Sequence, residues 1–558
     1  MELILVVVGA IVVAAIAHRR GLEPALLIVM VGIAGSFLPG FEAPELDSHI
    51  LLTVVLPPLL YSAALDFSFP TFMRNIRPIV GLGVALVVVT AFAVALVSSW
   101  VAAVPLTFGT ALVLGAIVAP PDAVTAVAVG RKLGLPKRVM AILTGESLIN
   151  DAAALTLFSI AVAQVAGTHT FIDNALLLFT YSAVVGPAVG VVLGYVTLWI
   201  RNRLNNPGLE TVQGLLVPFA AFITAEEIHA SGVLAVVVAG FVIGNGSLSS
   251  GYQTRLQERY VWNSLDVLLE AFVFAYIGLH LRFVLEDLRS AHESLVEVTV
   301  ASAIVFGVVL LIRPVWMSLM FGRSVLAEHV DRNLSVPIPR VGRGALGTRK
   351  KKSPGKWRST IDKSSLTWQE NVVVSWTGMR GVVTLAAAAG IPWTTETGEP
   401  FPQRALIQAI AFSVAVGTLL LQGSTLPPLI RRLQLPSHED DDRVEAAKAA
   451  MIVHDAADQV LADFRADPPQ GLDPRVLAEI RQTIARHSQD ADEMPDPETH
   501  TLQAEVFTDL YRQVLTAQRT ALIAERDAGR LDDEAVRGML GRLDLQEAGV
   551  TARLESRF

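Results

Sequence analysis

The chain has 558 residues, 52% of them hydrophobic and only 17% charged, with a mean hydropathy of +0.51. This excludes an ordinary soluble protein, because runs of roughly 18 or more uncharged, mostly apolar residues recur up to about residue 425. The lack of any cysteine excludes disulfides and thiolate metal sites, and the net charge of −8 averages an apolar region with an acidic tail, so it speaks for no particular partner, nucleic acid included.

Hydropathy divides the apolar region into about 13 spans, near 3–17, 22–39, 50–66, 78–100, 107–129, 138–164, 175–200, 210–228, 231–247, 262–283, 297–319, 369–391 and 405–424. Span one has no basic stretch before it and Arg19 and Arg20 after it, so it reads as a retained span rather than a signal peptide. Lys and Arg gather in alternate loops, at Arg74 and Arg77, Arg131 to Arg138, Arg201 and Arg203, Arg255 and Arg259, and Arg349 to Lys352. The opposite loops carry acids such as Glu42, Glu45, Asp173, Glu286 and Glu396. The positive-inside rule then sets the N-terminus outside and the C-terminus in the cytoplasm of a cell-membrane protein, as an odd number of spans requires. Residues 322–366 read as a basic, Pro- and Gly-punctuated cytoplasmic insertion, with or without a lipid partner.

Within the spans, ionisable side chains need a reason, since each costs ~2.5–3.5 kcal/mol on insertion scales. Span five contains Pro120, Pro121 and Asp122. Two prolines remove two backbone donors, which predicts a broken helix with freed carbonyls and Asp122 as cation ligands; the alternative is a kink capped by Asp122. Span six carries Glu146, Ser147, Asn150 and Asp151, with Ser147 and Asp151 on one stripe and Glu146 and Asn150 on the next. Such an oxygen-rich turn suits a hard monovalent cation; the alternative is a buried cluster that only joins helices.

Glu226 and Glu227 close span eight, read as outer-interface acids, with Glu226 held as a candidate for the ion pathway. Asp266, Glu270 and His280 in span ten and Asp66 in span three are weaker candidates. Arg313 in span eleven needs a counter-charge, for which Glu146 comes first, unless it snorkels to the interface. Span twelve holds Gly378-Met379-Arg380-Gly381, an expected unwound stretch with Arg380 facing a cavity or, alternatively, a close helix contact. With span seven as a linker, spans five and twelve fall at the fifth position of two six-helix halves, the pattern of inverted repeats around a midplane ion site.

After Pro436 the acidic run Glu439 to Asp442 opens amphipathic stretches that predict a small helical cytoplasmic domain over 437–558, with no phosphate loop or metal-spaced histidines. The fold class is therefore all-α: a polytopic membrane domain over 1–425 plus a helical tail.

These motifs resemble those of the first monovalent cation:proton antiporter family, which includes bacterial sodium/proton antiporters and eukaryotic sodium–proton exchangers. Gly145-Glu146-Ser147-Leu148-Ile149-Asn150-Asp151 is similar to its sixth-helix signature, Pro121-Asp122-Ala123 to the Thr-Asp-Pro of its broken fifth helix, and Gly378-Met379-Arg380-Gly381 to its twelfth-helix motif. The resemblance implies a homodimeric transporter in the lipid bilayer, not an enzyme, that uses no cofactor and exchanges Na⁺ (or Li⁺ or K⁺) for H⁺. It further implies that Asp151 binds cation and proton in alternation, that Asp122, Ser147, Asn150 and the Pro121 carbonyl complete the site, and that Glu146 and Arg313 form a structural pair. Arg380 would face the crossing of the unwound helices. Pro121 and Ala123 depart from the family pattern, and Pro121 offers no hydroxyl. Asn150 in place of a second acid leads to the expectation of electroneutral, one-for-one exchange. An intramembrane aspartyl protease would want a Gly-x-Gly-Asp context that no aspartate here has. A cation channel would show a pore loop or a ring of acids rather than one asymmetric cluster.

Overall fold

The computed structural model describes residues 2–38, 51–101, 106–122, 124–168, 171–172, 174–204, 206–247, 251–290, 294–334, 366–435, 439–466 and 501–555. Among them the regular structure is helical, apart from one isolated bridge between Thr394 and Pro400. Among the described residues, eight helices are long and apolar enough to cross a bilayer: Leu3–Arg20, Ile76–Trp100, Lys137–Ala166, Ala175–Leu204, Pro207–Glu227, Tyr252–Ser290, Leu295–Met320 and Arg404–Leu433. Four shorter apolar helices lie between them, Pro24–Ser36, Leu52–Asp66, Phe108–Val118 and Gly232–Gly246. The protein is thus a multi-pass, all-helical membrane protein.

Two of the expected spans are interrupted. The first runs as Phe108–Val118, breaks, and resumes as Val124–Leu133. Thr107 caps its start by accepting a hydrogen bond from the Thr110 amide, and Pro120 and Pro121 end the ladder because neither has an N–H to give. Ala123 lies outside the described residues. The second runs as Trp368–Trp376 and Val382–Ala389 around the Thr377–Gly381 gap. Its first half begins with a capping box between Thr367 and Glu370.

The long Lys137–Ala166 helix is held by close backbone approach. A π-turn over Gly81–Leu86 bulges the neighbouring helix. It brings Gly83 so near that an added Cβ would lie 3.2 Å from the Glu146 carbonyl and 3.5 Å from the Asn150 nitrogen. A bulge at a helix contact is a common way to shape a site. The Ala175–Leu204 helix, expected as a linker, packs its Gly186, Gly190 and Gly194 stripe on Ser231, Ala235 and Val242, the small-residue packing of membrane helices.

Two boundaries differ from expectation. The Leu295–Leu334 helix continues through the first part of the anticipated insertion, where the sequence has no proline or glycine between Ser324 and Leu334 to stop it. Most of the rest of that insertion, including Arg349 to Lys352, lies outside the described residues. Span ten likewise starts earlier, at Tyr252.

The chain divides into two compact units, one comprising Met1–Asn202, Gln213–Asn245 and Trp262–Pro436, the other Arg203–Val212, Gly246–Val261 and Ser437–Phe558. The second is thus not the contiguous tail anticipated from composition. Its tail helices Glu439–Ala466, Thr501–Asp527 and Asp533–Glu555 share an apolar core that includes Val453, Leu461, Leu510, Leu522, Val536 and Leu540. Arg255 joins it through Asp544, at 2.8 Å from Nε and 2.5 Å from Nη2. Asp544 also accepts from Arg519 at 2.8 Å, and Tyr252 donates to Thr551 at 2.9 Å. Burial pushes the nearby Tyr511 phenol up to about 12, with the Glu547 carboxylate adding to it.

Candidate functional site

The two helix breaks meet. The backbone N–H of Asp122 donates to the Met379 carbonyl at 2.6 Å. The Asp122 carboxylate packs so closely on Gly381 that a Cβ there would occupy its place. Glycine at this one position is what lets the acid reach the crossing.

Arg380 is buried at the same crossing. Its Nε donates to the Val118 carbonyl at 2.9 Å, Nη2 reaches the Ala119 carbonyl at 3.5 Å, and Nη1 donates to the Gly378 carbonyl. Its own N–H is taken by Thr418 Oγ1 at 3.0 Å. These carbonyls are the unpaired C-terminal ends of the two first half-helices, where a cation offsets the negative end of the helix dipole. The expectation that Arg380 faces a cavity is corrected accordingly: its guanidinium is spent on the carbonyls, and Gly381 rather than Arg380 lines the nearby space.

That space is a cavity of about 290 Å³. Its wall includes Asp122 from one break, Gly381 and Thr384 from the other, and Thr144, Ser147 and Asp151 from the Lys137–Ala166 helix. Asp66, Asp266 and Glu270 also line it, with Asn263 and Arg131. Exposure is graded along it. Asp66, Arg131 and Asn263 are exposed, Asp122, Ser147, Asp266 and Glu270 are half-buried, and Asp151 is 7% exposed. The five acids outnumber the one arginine among the described lining residues, so the field inside favours cations. Ser62 donates to Asp266 at 2.5 Å, tying two of the walls together.

Of the residues anticipated from the sequence, Asp151, Asp122 and Ser147 converge on this cavity. Asn150 does not line it. It is fully buried, and its Nδ2 donates to the Pro121 carbonyl at 2.5 Å. The amide pins the broken helix to the intact one, and it occupies the carbonyl that was expected to be free for a cation. Glu146 and Arg313 form a bidentate pair. Nη2 lies 2.8 Å from Oε2, Nη1 contacts Oε1, and Nε donates to the Val374 carbonyl at 2.7 Å. Arg313 is 2% exposed and does not snorkel.

Glu226 is exposed and accepts from the Gly232 N–H at 2.9 Å. It acts as a helix N-terminal cap away from the cavity, because the turn His229–Ser231 folds the next helix back onto it. Asp66, Asp266 and Glu270, ranked low from sequence, are three further acids that the fold brings to the cavity beside Asp122 and Asp151. Their only available signal was charge inside an apolar span.

Comparison with known proteins follows the same line. A family model described as "Sodium/hydrogen exchanger, transmembrane" matches residues 4–432. An uncharacterised Na⁺/H⁺ exchanger of Mycobacterium tuberculosis is 30% identical over 559 positions, covering 98% of this chain and 95% of that one. The Na⁺/H⁺ antiporter ApNhaP of Aphanothece halophytica is 27% identical and covers 81% and 77%. Among solved structures, the sodium proton antiporter MjNhaP1 from Methanocaldococcus jannaschii is similar in fold, with a TM-score of 0.58 at 18% identity, covering 78% of this chain and all of that one.

Proposed function

The chain belongs to the transmembrane sodium/hydrogen exchanger family, and from that premise we propose that it exchanges Na⁺ for H⁺ at Asp151, one for one, by alternating access. The observation that carries this reading is the position of Asp151. It is the most buried acid of the cavity, beside Ser147 and next to the crossing of two broken helices that holds Asp122. A cation entering between Asp66, Asp266 and Glu270 exchanges water for carboxylate and hydroxyl oxygens. The same Asp151 oxygen cannot hold a proton and a cation at once, so one ion displaces the other, and the half-helix ends supply the fixed dipoles.

Electroneutrality is supported by where the other polar groups are committed. Asn150 has no proton to carry and is tied to Pro121, and Glu146 is held by two hydrogen bonds to Arg313. If Asp122 keeps its charge, one cation leaves for each proton that returns. A membrane potential, worth ~2.3 kcal/mol per charge per 100 mV, then has nothing to act on.

The basic loops support an N-terminus outside and a C-terminus in the cytoplasm. In that orientation the exposed end of the cavity, at Asp66, Arg131 and Asn263, opens to the cytoplasm. The cavity is then the inward-open state of a cell-membrane exchanger. The matched breaks support two inverted six-helix repeats among 13 crossings. A homodimer is consistent with the exposed apolar face of Leu3–Arg20, which carries Ile4, Leu5, Val8 and Val12. The test is flux in reconstituted vesicles clamped with potassium and valinomycin at several voltages, with both ion gradients fixed. A Na⁺-driven proton flux whose reversal point ignores voltage is expected. A reversal point that moves with voltage rules out one-for-one exchange.

A further inference from the structure

Helical threonines in this protein usually satisfy their hydroxyls on the carbonyl one turn back. Thr90 donates to Leu86 at 2.7 Å, Thr156 to Ala152 at 2.8 Å, and Thr211 to Pro207 at 2.8 Å. Thr384 has no such partner. The residue four back is Arg380, inside the non-helical gap, because the half-helix begins only at Val382. Its Oγ1 is buried without any hydrogen bond, and the residue is 1% exposed.

Thr384 is also in the wall of the cavity that holds Asp122, Ser147 and Asp151. It is one turn past Gly381, on which the Asp122 carboxylate rests. A buried hydroxyl is rarely left unpaired, and an orphan beside a site invites a ligand as its explanation. The ligand chemistry is that of a small hard cation, which takes hydroxyl and carboxylate oxygens.

We infer that Thr384 is a ligand of the transported monovalent cation, its hydroxyl oxygen joining Ser147 and the carboxylates of Asp151 and Asp122. When the site is protonated instead, the hydroxyl turns to donate to a carboxylate. The break in this helix therefore does two things: it frees the Gly378 carbonyl that Arg380 holds, and it frees one hydroxyl for the ion. This inference rests on the exchange reading at Asp151.

The test is Na⁺-driven and Li⁺-driven proton flux in vesicles for Thr384→Val, which keeps the shape, and Thr384→Ser, which keeps the hydroxyl. Thr384→Val is expected to raise the apparent KM for Na⁺ about tenfold, the effect of one lost polar contact, with maximal rate retained. It should also change the Na⁺ to Li⁺ preference, which a purely structural role would not. Thr384→Ser should return KM to within about twofold of the unaltered protein. Thr384→Ala carries the same expectation as Thr384→Val, should the latter fail to insert. An unchanged KM and ion preference in the variants without a hydroxyl, alongside an Asp151→Asn that does not exchange, overturns the assignment of Thr384 and leaves the exchange site standing. Normal flux from Asp151→Asn overturns both.

Discussion

Two buried charge clusters, one in each compact unit, are built on opposite plans. In the membrane unit Glu146 and Arg313 meet as a single bidentate pair, with side chains 1% and 3% exposed, and the remaining guanidinium nitrogen is spent on Val374. In the tail unit Asp544 is shared by Arg255 and Arg519, and Arg519 also holds Glu547. Exposure there rises from 3% at Asp544 to 16% at Arg519. Where no water can replace a lost partner, one exclusive pair must satisfy every donor and acceptor. Where water reaches the rim, several half-shielded charges share the load, and the loss of one is partly covered by the others.

The comparison is broken most severely at the membrane pair. Glu146→Gln and Arg313→Met should each cost ~3–5 kcal/mol, because each leaves a buried group of the other partner uncompensated. The double variant should cost less than either single one. Thermal unfolding in detergent measures this, and additive losses would mean that the two side chains do not act as a pair.

A smaller effect is expected in the tail. Asp544→Asn should lower stability by about 1.5–3 kcal/mol, the worth of hydrogen bonds to charged groups. Its coupling to Arg519→Met should be weaker than the coupling of Glu146 to Arg313, as a double-mutant cycle would show. Equal coupling in the two clusters would remove the distinction between them. Removing the tail after Pro436 should leave exchange in place and shift its pH dependence or maximal rate. Complete loss of flux from a well-inserted truncation would make the tail part of the transport machinery.

The smallest effect belongs to an exposed pair. The Arg530 guanidinium hydrogen-bonded to Glu525 holds that carboxyl below the usual range. Its contribution is present above the unfolded carboxyl pKa and is lost as pH falls through the lowered one. Because both groups face water, Glu525→Gln should leave the thermal midpoint at neutral pH unchanged within error. A clear drop would show that exposed tail pairs matter as the buried ones do.

Legibility from sequence follows the same division. Glu146 and Arg313 are paired by charge balance together with the family resemblance, since a lone charge in an apolar span must find its opposite. The two breaks were legible because proline and glycine act locally. Contacts that depend on packing were not. Nothing in the spacing of Asn150 and Pro121 says which way the amide donates. Asp266 and Glu270 share one helix face at i and i+4, but Asp66 comes from a helix far away in the chain, and no periodicity predicts that it joins them in one cavity. Arg255 and Asp544 are separated by 289 positions, and each reads from sequence as an ordinary exposed helix charge.

The most direct test is cation-driven proton flux from Asp151→Asn in proteoliposomes, which keeps the shape of the side chain while removing its negative charge and its titratable proton. The account predicts that exchange is abolished while the protein inserts and its detergent stability holds. Near-normal Na⁺-driven flux from that variant would contradict it, and would move the exchange site away from the crossing of the broken helices.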